Sequence, residues 1–116
     1  MSNVWDYFTT EQQEKLNIKI AQVRAEIGPQ QLKNMSKESN ETIIQLQLEM
    51  EAGRAPDHPE VVLLAKRLKS RQDVFDLDDP QIEEAIERFH MENPDQKDHG
   101  MDLKLYRYIE EAKLYI

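Results

Sequence analysis

Three histidines and twenty-three acidic side chains are the groups in this chain best suited to chemistry. Asp57, His58 and Glu60 fall together in Ala52-Gly53-Arg54-Ala55-Pro56-Asp57-His58-Pro59-Glu60, a set that could ligate a cation. Glu87-Arg88-Phe89-His90 supplies one E-x-x-H pair of the kind that di-iron helical bundles use twice. A helical zinc site, however, wants a second histidine one turn away, and a di-iron site wants a second E-x-x-H; the sequence has neither. His58 and His99 instead stand beside Pro59 and Gly100, in loop-like surroundings. The acids of residues 76–84, "DLDDPQIEE", resemble those of a calcium loop but lack its sixth-position glycine, and Asp79 reads better as a helix cap. No metal and no cofactor is expected.

Catalytic signatures are equally sparse. No G-x-S-x-G, P-loop or G-x-G-x-x-G occurs. There is no cysteine, which removes a thiolate nucleophile, thiolate–zinc sites and disulfides. Glu83 and Glu84 are a solvated pair on a helix. The chain is not expected to be an enzyme.

The elements that must position these residues follow from composition and periodicity. At 116 residues the chain suits one domain spanning 1–116, able to bury roughly two thirds of its extended surface. No apolar run approaches the roughly 20 residues that span a bilayer, and no signal peptide opens it, so a cytoplasmic setting is expected. The net charge of −8 would repel a phosphate backbone and attract cationic ligands. Lys66, Arg67, Lys69 and Arg71 spread round a helix as a solvated face, so no direct DNA contact is expected.

Thr9 or Thr10, with Gln12 or Gln13, can cap a first helix, on which Leu16, Ile20, Val23 and Ile27 form one stripe. Gly28-Pro29 stops it, and "PQQLKNM" forms a short turn. Ser36 or Ser39 then opens a second helix. There Ile43, Leu46 and Met50 face inward and Ile44 and Leu48 widen the stripe. Its residues alternate as a strand would, but they are helix formers. Gly53 ends this helix, and Pro59 starts the third behind His58 or Asp57. Val61, Leu64, Leu68 and Phe75 follow. Asp79-Pro80 opens the fourth, burying Ile82, Ala85 or Ile86, and Phe89, with His90 at the edge of the core. The last helix presents Leu105, Ile109, Ala112 and Ile116. Tyr106 and Tyr108 diverge by about 160 degrees, so one must leave the core face. The expected fold is all-α, a single domain of about five helices.

One tryptophan, four tyrosines, three phenylalanines and five methionines are mostly core material in so small a domain. "VWDYF" is different, because it precedes the first cap where no periodicity demands burial.

The helix joints resemble those of the TipA-type antibiotic-recognition domain, the effector half of some MerR-family transcription activators. The residues that carry this are Phe8-Thr9-Thr10-Glu11-Gln12-Gln13, Met50-Glu51-Ala52-Gly53 with Pro56-Asp57 and Pro59, the helix with Phe89 before an acidic loop, and the closing "GMDLKLYRYIEEAKLY". The resemblance covers residues 4–116. It implies a globin-like fold without haem and a cleft that closes on hydrophobic drugs, with N-terminal helices ordered by binding. A linked DNA-binding domain would read that ordering, and the family leaves room for a homodimer in the full-length regulator.

This chain departs from the family in three ways. It lacks the cysteine through which the founding member captures its ligands, so binding would be non-covalent. It lacks the winged-helix half. It has Phe89 where a tyrosine often stands. The implied function is sensing of small hydrophobic, amphipathic or cationic drug-like molecules, with Trp5 and Phe8 as a lid and Phe75, Phe89, Met91 and Tyr106 lining the cleft. The alternative is a free-standing helical adaptor that docks a protein through the "VWDYF" rings.

Overall fold

The computed structural model describes residues 3–77 and 79–116; Met1 and Ser2, and Asp78 of the acidic turn, lie outside them. Five α-helices follow in order: α1 (Thr10–Ile27), α2 (Pro29–Glu51), α3 (Pro59–Gln72), α4 (Pro80–Glu92) and α5 (Leu103–Lys113). One-turn 3-10 segments at Val4–Tyr7 and Asp73–Phe75 precede α1 and follow α3. No strand occurs among the described residues, only an isolated bridge between Asp98 and Met101. The chain is an all-α single domain.

Local chemistry fixes the boundaries. Thr9 caps α1 in a reciprocal box with Gln12, Asp79 accepts from the Gln81 amide at the start of α4, and Asp102 accepts from the Leu105 amide at the start of α5. Gly28 adopts φ +87°, ψ 158°, a conformation essentially reserved for glycine, and lets α2 start at Pro29 without a linker. The separate turn expected at 29–35 is therefore absent. α2 runs unbroken for 23 residues, because no glycine or further proline interrupts it and its serines only weaken helix mildly.

At the α2–α3 joint, His58 and Glu60 have structural partners. His58 is the cap of α3, its Nδ1 accepting from the Glu60 amide at 3.2 Å, and Pro59 is the first helical residue. Arg54 pairs with Glu49 and Glu60, and its carbonyl accepts a 2.9 Å bond from the Tyr108 hydroxyl.

The core lies between the second half of α2, α3 and α5. Leu46, Val61, Ala65, Leu68, Leu105, Ile109 and Ala112 are essentially inaccessible. Each of the larger ones contributes about 1.5–3 kcal/mol of burial. Two expectations for this core are corrected. Ile44 and Leu48 are exposed, because the phase of α2 turns Ile43 and Leu46 inward. Thr42 shares that inner face, and its hydroxyl donates to the Glu38 carbonyl. Ile116 is half exposed because α5 ends at Lys113. The two tyrosines of α5 diverge: Tyr108 is buried in the core against the joint, and Tyr106 turns toward α4, where it is half-buried.

α1 is packed differently. Gln12 and Val23 are its only buried residues, with Leu16, Ile20 and Ile27 half-buried. No residue of α2 before Thr42 is buried. α1 and the first half of α2 thus form a thin two-helix arm, supported where α1 meets the Asp73–Phe75 turn.

Candidate ligand-binding site

The N-terminal turn is locally stapled. The Asn3 side chain accepts from the Trp5 amide at 3.1 Å and the Asp6 carboxylate accepts from the Asn3 amide at 3.0 Å. Val4 is buried, and the turn packs on α4. Gln13 of α1 donates to the Trp5 carbonyl at 2.8 Å. Tyr7 is the hinge pin. Its hydroxyl donates to Glu92 at 3.1 Å and accepts from the Asn93 side-chain amide at 3.1 Å. Its ring meets Phe89 edge-on at 5.7 Å.

Inside this contact the rings continue. Phe89 meets His90 edge-on at 5.2 Å, and His90 stacks on Tyr106 at 4.4 Å. His90, expected at the edge of the core, is fully buried, and neither ring nitrogen has a hydrogen-bond partner among the described residues. Desolvation lowers its pKa below the ordinary 6.5 against the pull of Asp98 and Asp102, so the imidazole is neutral. Burial foremost, then Glu110, Glu87 and Glu83, pushes the Tyr106 phenol well up, so it too stays neutral.

Outside, an open trough of about 430 Å³ follows the seam. Tyr7, Thr9 and Gln12 form one wall, and Gln81, Glu84, Ala85 and Arg88 of α4 form the other. A second depression of about 410 Å³ shares Glu84 and Arg88 with the trough and is otherwise bounded by Glu87, Met91 and Glu92. Glu84, Arg88, Met91 and Glu92 recur at three- and four-residue steps, so α4 presents them as one stripe. A volume of this order is in the range of small-molecule sites, but the lining is mostly polar, with Ala85 and the Tyr7 ring as its apolar part. The Arg88 guanidinium lies over the Tyr7 ring, 5.8 Å from its centroid.

The six residues expected to form a cleft do not line one cavity. Phe89 is buried behind the seam and Tyr106 lies half-buried behind Phe89. Met91 is on the outer depression, 55% exposed. Trp5 and Phe8 pack edge-to-face at 5.6 Å, both half-buried beside the seam. Phe75 is half-buried in the turn that supports α1. Gln12 and Arg88 were not among the expected site residues, and Tyr7 was expected only as one of the "VWDYF" docking rings. The stripe on α4 was visible in the spacing of Glu84, Arg88 and Glu92, but the approach of Tyr7 from 77 or more positions away had no local signal. Among the described residues no three histidine or acidic side chains gather as a metal set, and no helix is long and apolar enough to cross a membrane.

No family model, curated protein or solved structure matches the chain.

Proposed function

We propose that this chain is a ligand-sensing domain that binds hydrophobic or amphipathic drug-like molecules non-covalently, as the effector half of a MerR-type cytoplasmic regulator. The joints shared with TipA-type domains support that assignment, and the position of the trough carries it. A molecule held there touches both the N-terminal turn and α4 and so biases how the turn sits. Two hydrogen bonds and one ring contact tie Tyr7 down. Each is worth about 0.5–1.5 kcal/mol, so a ligand that discriminates by a few kcal/mol can shift the population of seated turns. A DNA-binding domain joined on the N-terminal side would read that shift.

The adaptor alternative is less favoured, because Trp5 and Phe8 face each other and are half-buried. The test is titration of Trp5 fluorescence with a panel of hydrophobic antibiotics, alongside Tm. The expected result is an emission change with a rise in Tm for at least one compound. Silence of both readouts across the panel refutes the proposal.

A further inference from the structure

We infer that the trough selects a lipophilic cation, and that Arg88 is the chain's own competitor for the cation position over Tyr7. This rests on the ligand-binding function proposed above.

Arg88 has carboxylates on its own helix stripe, Glu84 four residues before it and Glu92 four after, with Glu87 adjacent. A glutamate N-terminal to a cation at four residues is the orientation that favours a helical ion pair. Yet Arg88 is ion-paired to none of them among the described residues, and its guanidinium lies over the Tyr7 ring instead. The ring carries a negative face, and its hydroxyl end is held by Glu92, which adds to the potential there. The surface is therefore one on which a cation settles in preference to a nearby exposed carboxylate.

The surroundings extend that preference to a ligand. The trough has Glu84 and Arg88 in its lining, and the adjoining depression adds Glu87 and Glu92, three carboxylates and one guanidinium in all. An anion meets Glu84, Glu87 and Glu92, and a neutral molecule gains only the apolar surface of Tyr7, Ala85 and Met91. A bulky cation gains that surface, the ring face and the acidic potential together. When it takes the place over Tyr7, Arg88 has Glu84 and Glu92 within one helical turn to pair with, so its displacement is compensated.

Tetraphenylphosphonium and tetraphenylborate, equal in shape and opposite in charge, provide the test with the full chain, its Arg88→Ala variant and the double variant that adds Tyr7→Leu. Circular dichroism confirms that each variant is folded. The phosphonium should bind wild type more tightly than the borate. Arg88→Ala should tighten the phosphonium about 3-fold to 10-fold by removing the competitor, and adding Tyr7→Leu to that variant should erase the gain. Equal or tighter borate binding overturns the inference, as does an Arg88→Ala variant whose phosphonium affinity is unchanged or weaker. If the phosphonium does not bind but a neutral antibiotic shifts Trp5 fluorescence, the cation preference is wrong and the sensing function stands. If neither ion nor any antibiotic binds, both fall.

Discussion

Replacing His90 by leucine should stabilise the protein, although His90 is among its most deeply buried side chains. Two ring nitrogens held out of water without partners cost about 1–3 kcal/mol each, and leucine removes that penalty. The variant gives up ring contacts with Tyr106 and Phe89, about 0.5–1.5 kcal/mol apiece, and accepts a shape change of up to about 1.5 kcal/mol. Mid-range values leave it about 1 kcal/mol more stable, a rise in Tm of about 4 °C for a domain of this size.

The pH dependence provides a second, independent readout. Desolvation lowers the folded-state pKa, so as pH falls through the ordinary 6.5 the unfolded chain takes up the proton first. Wild type keeps its full stability above that point and loses it below, until the folded imidazole also titrates. The loss is at most about 1.4 kcal/mol per pH unit, and it should vanish in the leucine variant. Urea unfolding of both proteins at about pH 7.5 and about pH 5.5, compared as a difference, isolates this step from the acidic residues common to both. A leucine variant destabilised by roughly 2 kcal/mol or more, with its acid loss unchanged, would mean that the imidazole is hydrogen-bonded after all and would refute the reasoning.

Three further outcomes are expected. Gly28→Ala should cost about 1–3 kcal/mol in urea unfolding, all of it backbone strain, because no atom lies near the added Cβ. Tyr108→Phe should cost about 1 kcal/mol by stranding the Arg54 carbonyl, while leaving phosphonium affinity unchanged because the joint lies apart from the trough. Thr9→Ala removes the α1 cap; it should cost about 0.5–2 kcal/mol and shift Trp5 emission, since Gln13 of the same first turn holds the Trp5 carbonyl.

Helix boundaries were legible where capping is a matter of neighbouring residues. Gly28-Pro29 as the stop of α1, Gly53 with Pro59, and Asp79-Pro80 each act through a glycine conformation, a fixed proline φ or a side-chain oxygen within three residues; that Pro29 also starts α2, in place of Ser36 or Ser39, was not read. Facing was harder to read. In α2 the apolar residues alternate, so Ile44 and Leu48 looked as inward as Ile43 and Leu46, and only the positions of α3 and α5 decide the phase. The site was least legible. Phe89 and Tyr106 were singled out as rings for a ligand, but they pack with His90, and nothing near His90 in sequence announces a partner on α5. Tyr7 was read only as one of the "VWDYF" rings and not as a lining residue, because its value depends on Arg88, Glu92 and Asn93.

The thin arm made by α1 and the start of α2 implies an uneven map of amide hydrogen exchange. Amides of α3 and α5 should exchange only by global unfolding, whereas those of α1, with two buried side chains to hold it, should exchange through a much cheaper partial opening. The N-terminal quarter is then a separate cooperative unit hinged at Gly28, which can detach and reseat while the rest stays folded. Because Gln12 on one wall of the trough belongs to that unit, whatever fills the trough should slow its exchange selectively.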